Sequence, residues 1–419
     1  MSLAVVGATL DGERVGLRAT DGRIVALGSD VVAEPGDDVI DGTDRALLRG
    51  LVNGHTHAGM TLFRGFGSDL RLLDWLERYI WPAESRLTAD DVYWGTRLAC
   101  LEMIRSGTTR FWDMYWQPES VARAVVDSGI RATIGFPLVD GMDEARGREV
   151  RAEGAAVLDQ LHDVDPRVSV SLTPHSVYAV GESTLEWAAA EAQARNLAIQ
   201  IHFMEVETET EGCLERTGER PAAYLDRLGM LDTRTVLAHG VWMEDEDLDL
   251  VAARGATIVT NPVSNLKLAV GRIFPYAAAR ARGIPIGLGT DGASSNNSLD
   301  LVADVKFLAL LQKHAADDPA NLPASEAWEV ATGVLAPLLG GGQPLAVGAP
   351  ADFLLVRTDA PELGPGNLVA NLVYAAAGSV VDATVVDGRV LMRGGLVEGE
   401  REIRARVADA ARRLGVLDG

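Results

Sequence analysis

Eight times between residues 51 and 291, a short β-rich run gives way to helix-like text. The runs end near His57, Trp116, Asp140, His175, Glu205, Trp242, Asn261 and Asp291, and segments such as TLEWAAAEAQARN (184–196) and LDLVAARG (248–255) follow them. Strands joined through helices pair in parallel, because a tight turn cannot return the chain in the same direction. Eight such units predict an α/β protein built on a (β/α)8 TIM-type barrel. A doubly wound open sheet is the alternative, and the lack of G-x-G-x-x-G after the first strand counts against it.

A chain of 419 residues exceeds what one core of roughly 250–300 residues serves, so a second, smaller domain is expected. From Leu3 to Gly42, β-like runs alternate with Asp-Gly pairs at 11–12, 21–22 and 41–42, which are hairpin signals. Similar text returns in ADFLLVR (351–357) and VVDATVVDGRVLMRGGLV (380–397). Both termini are therefore expected to form one small β-sandwich domain, residues 1–50 and 345–419 with a C-terminal helix. The barrel would occupy 51–344, with GGGQP (340–344) as its exit linker.

A barrel makes a sharp demand, since its active-site residues lie at the C-terminal ends of strands. Five of the seven histidines meet it: His55, His57, His175, His202 and His239, with Asp291 ending the last run. The two-residue period of a strand puts His55 and His57 on one face, which suits a metal-ligand pair from a single rigid element. A turn cap or a core histidine is the competing account of either one. His162 and His314 sit in polar text and are expected to be solvated.

Composition removes several classes of function. A net charge of −22 repels phosphate backbones and anionic membrane surfaces, so neither nucleic acid nor membrane is an expected partner. No apolar run approaches a membrane span, and the start MSLAVVGATLDGERVG lacks the form of a signal peptide, so a cytoplasmic protein is expected. Cys100 and Cys213 offer neither a disulfide framework nor a cysteine-rich zinc site. Of 38 basic residues only Lys267, Lys306 and Lys313 are lysines. An acidic, lysine-poor surface suggests a high-salt cytoplasm, and a GC-rich genome favouring arginine codons explains the lysine count equally well.

Taken together, NGHTHAGMTLFRG (53–65), DWLERYIWPAESRL (74–87), TPHSVY (173–178), IHFMEVETE (201–209), LAHGVW (237–242), NPVSNLKLAVG (261–271) and LGTDGASSNNSLDL (288–301) resemble the amidohydrolase superfamily, in its methylthioadenosine/S-adenosylhomocysteine deaminase and chlorohydrolase-like branch. The resemblance covers nearly the whole chain. It implies one divalent metal, most often zinc with Fe2+, Mn2+ or Ni2+ as alternatives, held by His55, His57, His202 and Asp291. One observation supports a mononuclear site independently: binuclear relatives bridge their metals with a modified lysine at the end of the fourth strand, and VSVSLTPHSVYAV (168–180) contains none. Three histidines and a carboxylate leave a position for water, whose pKa the metal lowers. By resemblance Asp291 is the general base, His239 orients the water, and Glu205 protonates the adjacent ring nitrogen. Glu205 lies three residues beyond His202, so it must sit where the strand turns into its loop.

The same resemblance sets Trp75 and Glu84 against the sugar of an adenosine-type nucleoside, His175 near the base and Arg148 at the far end. The expected reaction is hydrolytic deamination of 5′-methylthioadenosine, 5′-deoxyadenosine, adenosine or S-adenosylhomocysteine. The alternatives are an aminohydrolase or chlorohydrolase for another N-heterocycle, such as guanine or a triazine, and a non-catalytic barrel. A homo-oligomer is compatible with all three. One position departs from relatives that accept S-adenosylhomocysteine: aligned on LVD (138–140), Phe136 replaces an arginine that holds the amino acid carboxylate. The expectation is a preference for uncharged 5′ groups, with Arg146 close enough in sequence to compensate.

Overall fold

The structure is a computed structural model, and it describes residues 2–417. Strands β1 (Ser2–Leu10), β2 (Glu13–Thr20) and β3 (Arg23–Gly28) form a meander. Their turns are the first two Asp-Gly pairs, with φ of 51° and 84° at Asp11-Gly12 and 49° and 78° at Asp21-Gly22. Left-handed backbone at both positions is what a two-residue hairpin loop requires. The third pair makes no hairpin, because β4 (Asp38–Asp41) runs parallel to β1. Gly42 is needed there for close approach, since a Cβ would lie 2.7 Å from that of Ala8.

After β5 (Arg45–Arg49) the barrel begins: β6 (Leu51–Thr56), β7 (Thr108–Met114), β8 (Arg131–Leu138), β9 (Val168–Pro174), β10 (Ala198–Phe203), β11 (Thr235–His239), β12 (Thr257–Thr260) and β13 (Ile286–Leu288). They pair in parallel and in sequence order. First and last meet as well, for the Asp291 N–H donates to the His55 carbonyl at 3.0 Å and the Thr290 N–H to Asn53 Oδ1 at 3.1 Å. The N-terminal end of the barrel is plugged by Val52, Trp112, Val236, Val259, Ala336 and Leu339. Gly54 makes room for that plug, because a Cβ there would lie 2.8 Å from Val259 and 2.9 Å from Leu339.

The chain then returns to the first domain through β14 (Phe353–Arg357), β15 (Val381–Val386) and β16 (Arg389–Arg393). Strand β14 pairs antiparallel with β5, from Phe353 opposite Arg49 to Arg357 opposite Arg45. The resulting eight-stranded sheet folds over a core that includes Leu3, Val5, Leu17, Leu47, Phe353, Leu355 and Val385. Each such side chain contributes about 1.5–3 kcal/mol when fully buried. The C-terminal helix Glu400–Leu414 packs instead on the barrel helix Ala89–Arg105, where Arg413 pairs with Asp91. Residues 1, 418 and 419 of the expected small domain lie outside those described. Among the described residues no helix is long and apolar enough to cross a membrane.

Candidate active site

His55 and His202 lie in β6 and β10, His239 ends β11, and His57 and Asp291 follow β6 and β13. Three residues here hold left-handed backbone although none is glycine: Met204 (φ 48°), His239 (φ 79°) and Asp291 (φ 61°). Such conformations cost of order 1–3 kcal/mol each and persist where surroundings over-determine them. At Met204 the turn ends β10 and directs Glu205 into the site.

The ring nitrogens show what this cluster is built to do. His55 Nδ1 lies 2.9 Å from Gln200 Oε1, His57 Nδ1 2.6 Å from the Met114 carbonyl, His202 Nδ1 2.8 Å from the His175 carbonyl, and His239 Nδ1 2.8 Å from Asn265 Oδ1. Each partner is an acceptor, so each Nδ1 carries a proton, and in the neutral ring Nε2 is the nitrogen that keeps a lone pair. Those Nε2 atoms converge. His57 Nε2 is 3.2 Å from His202 Nε2 and 3.1 Å from Asp291 Oδ1, and His55 Nε2 is 3.4 Å from the same oxygen. Ligand atoms of His55, His202, His239 and Asp291 all lie within 4.8 Å of one another. The Nε2 atoms of His55 and His239 are buried without a hydrogen-bond partner among the described residues. Orphaned lone pairs aimed at one point, beside a carboxylate, fit a divalent cation. His239 thus joins the cluster that the expected set of His55, His57, His202 and Asp291 describes.

Asp291 Oδ2 accepts from the hydroxyls of Ser264 (2.7 Å) and Ser295 (2.6 Å), which turns Oδ1 toward the histidines. Burial opposes its charge, yet His55 and His57 hold its carboxyl well below the usual range. Burial likewise lowers His55, to about 4, whereas at His57 the carboxylate of Asp291 outweighs burial and lifts the ring to about 9. Glu205 is pushed up to about 8, chiefly by burial and then by the charge of Asp291. Among the described residues its Oε1 has no hydrogen-bond partner, and it lies 3.7 Å from His239 Nδ1.

A cavity of about 710 Å³ opens over this cluster, and Trp75, Glu84 and His175 line it with Trp81, Trp116 and Tyr178. Trp116 Nε1 donates to Glu84 Oε2 at 3.2 Å. Arg148 is not among the residues that line the cavity. The helix Glu144–Leu161 buries Gly147, Val150, Gly154 and Leu158, which turns Arg148 to solvent, 65% exposed and 3.8 Å from Glu144. Arg146 binds Glu149 and Glu153 on the same helix, so it supplies no compensating charge to the cavity. Phe136 lies behind the wall, its ring edge-on to Trp116 with centroids 6.0 Å apart. His162 and His314 are exposed, as polar text implied.

Several supporting residues escaped the sequence reading. Gln200 is fully buried on the same strand face as His202, a polar residue at two-residue spacing that was a usable signal. Glu209 accepts from the N–H groups of Met204 (2.9 Å) and Glu205 (3.2 Å), and nothing in EVETETE distinguishes it from its acidic neighbours.

Comparison with known proteins agrees with this architecture. Residues 46–391 match the model of the amidohydrolase family. A 5′-deoxyadenosine deaminase of Methanoregula boonei is 46% identical over 379 residues, 90% of this chain and 86% of its own length. A 5-methylthioadenosine/S-adenosylhomocysteine deaminase of Haloarcula marismortui is 41% identical over 399 residues, 94% and 92% of the two chains. The crystal structure of an adenosine deaminase from Xanthomonas campestris with bound zinc superimposes with a TM-score of 0.92 at 29% identity, covering 99% of both chains. A strand-end cluster of histidines and aspartate in a (β/α)8 barrel, a family model spanning most of the chain and relatives above 40% identity agree: this chain belongs to the amidohydrolase family.

Proposed function

We propose that this protein deaminates adenosine-type nucleosides whose 5′ group is small and uncharged, releasing ammonia and an inosine-type product. The names of its relatives supply the nucleoside class. The 5′ preference rests on one observation: no arginine or lysine is among the residues lining the cavity, whereas Met60, Leu72, Trp75 and Leu76 are. A carboxylate in that space would lose its water and find no guanidinium, and charged hydrogen bonds of this kind are worth about 1.5–3 kcal/mol. A methylthio group or bare 5′ carbon gains apolar and sulfur contacts there instead.

In this reading His55, His57, His202 and Asp291 hold one divalent cation, with zinc the best match to three imidazoles and a carboxylate. When bound, the cation supplies Lewis acidity that brings the pKa of a water toward neutrality. Asp291, fixed by Ser264 and Ser295, would accept the first proton of the attacking water. His239 orients the nucleophile as an acceptor, because Asn265 keeps the proton on Nδ1. Glu205 donates a proton to the ring nitrogen beside the amine-bearing carbon. The oxygen adds to that carbon, the proton from Asp291 passes to the amine, and the C–N bond breaks to give ammonia. As it breaks, the oxygen gives up its second proton to the freed Asp291 carboxylate, from which it returns to Glu205, leaving a carbonyl beside the protonated ring nitrogen. Glu84, aimed by Trp116, accepts from the vicinal ribose hydroxyls.

The test is kcat/KM for 5′-deoxyadenosine, methylthioadenosine, adenosine and S-adenosylhomocysteine, with guanine and a chlorotriazine alongside. The first two should exceed S-adenosylhomocysteine by roughly 10- to 100-fold, which is the loss of one charged contact. Preference for S-adenosylhomocysteine removes the 5′ argument, and turnover confined to guanine or the triazine removes the nucleoside assignment.

A further inference from the structure

At the end of the barrel opposite the catalytic mouth, a cavity of about 370 Å³ lies in the seam with the β domain. Arg23, Arg49, Arg110 and Arg131 line it together with the glycine loop 340–342, in a chain whose net charge is −22. Three aspartates share the wall and all are engaged: Asp352 and Asp387 pair with Arg131 at 2.7 Å and 2.9 Å, and Asp21 has a partner of its own. Arg49 donates to the Gln343 carbonyl (3.1 Å) and Arg23 to that of Gly348 (2.9 Å), and neither has an ion pair among the described residues.

Arg110 stands apart. It rises from β7 half-buried, and among the described residues its side chain makes no hydrogen bond and no ion pair. Its guanidinium lies against the backbone of Gly340, where a Cβ would come within 3.0 Å of Nε. Burial, and then the charge of Arg131, lower it to about 10 against the opposing pull of the Asp352 carboxylate. Arg167 and Arg220, also withdrawn from solvent, each have a carboxylate within 3.0 Å. A half-buried cation without a partner is costly, and its cost is relieved when an anion binds.

We infer that the seam is a binding site for a phosphate group, gripped by Arg110 and Arg49 across the glycine loop. A tetrahedral dianion presents oxygens in several directions and suits more than one guanidinium fork, which a single carboxylate does not. The group belongs either to inorganic phosphate or to a nucleotide, and the site is independent of the deaminase chemistry.

The experiment measures melting of the metal-loaded protein in phosphate against chloride at matched pH and ionic strength, with calorimetric titration of inorganic phosphate and of ADP. Wild type should melt higher in phosphate. Arg110→Met should lose that increment, bind the anion at least tenfold more weakly, melt no lower than wild type in chloride, and keep its kcat/KM. The exposed control Arg401→Met should behave as wild type, and Arg49→Met provides a second variant. Tighter binding of ADP assigns the site to a nucleotide; equal or tighter binding of phosphate assigns it to the free ion. Equal melting in phosphate and chloride with no heat from either ligand overturns the inference. So does a phosphate increment that survives both Arg110→Met and Arg49→Met, because the anion would then sit elsewhere, as at the catalytic cluster.

Discussion

Replacing Gln200 by leucine should loosen the metal without touching a ligand. Gln200 Oε1 lies 2.9 Å from His55 Nδ1, and both side chains are fully buried, so no water can take over as acceptor. A buried N–H left unpaired costs about 1–3 kcal/mol. The ring can relieve that cost by moving its proton to Nε2, but doing so removes the lone pair that faces the cluster. Either way the penalty falls on the bound state, and at 1.4 kcal/mol per decade it amounts to roughly 5- to 150-fold in metal affinity. That agrees with the 10- to 100-fold typical of residues that orient metal-binding histidines. The assay is zinc competition against a chromophoric chelator, with melting of the metal-free protein to confirm folding. Gln200→Glu keeps an acceptor at the same place and should lose less. A leucine variant that holds zinc within twofold of wild type would refute the claim that Gln200 sets the His55 tautomer.

His57→Ala should lose bound metal, whereas His239→Ala should retain most of it and lose turnover; elemental analysis of both variants separates ligand from orienting residue, and the opposite pattern would exchange their roles. Glu205, pushed up to about 8, carries its proton at pH 7 and sheds it above that value, so kcat should fall on the alkaline side with an apparent pKa near 8. Glu205→Gln should be about 10²- to 10⁴-fold slower and lack that limb, and an unchanged limb would assign it to another group. Thermal stability should rise toward molar KCl if the charge of −22 reflects a high-salt cytoplasm, since salt screens self-repulsion. Full stability in dilute buffer would instead favour codon usage as the origin of the lysine deficit.

What could be read from the sequence followed from periodicity. The alternation in β6 and β10 brings Asn53 and His55, with His57 just beyond, and separately Gln200 and His202, to one face, so which strand-end residues face the barrel interior together is legible without coordinates. Long-range geometry is not written that way. The outward turn of Arg148 depends on which stripe of Glu144–Leu161 meets the barrel, and that was decided by Gly147, Gly154 and Leu158 rather than by anything near 148. The Asp-Gly pair at 41–42 looks like its neighbours at 11–12 and 21–22, yet the space beside Ala8 gives it a different task. Glu209 is chosen from its acidic run by the left-handed turn at Met204, a backbone event with no composition signature.

The closure of β6 against β13 bears on how the protein is made. His55 and His57 leave the ribosome 236 and 234 residues before Asp291, about 12–50 s earlier at 5–20 residues per second. The first domain waits longer still, since β5 has no antiparallel partner until Phe353–Arg357 is synthesised. Neither half of the nascent chain can finish alone, and an imidazole pair exposed for tens of seconds is open to whatever transition metal the cell leaves unbound. Metal choice is therefore open to influence during translation, when two histidines meet free metal ions before Asp291, with the serines that orient it, has been made.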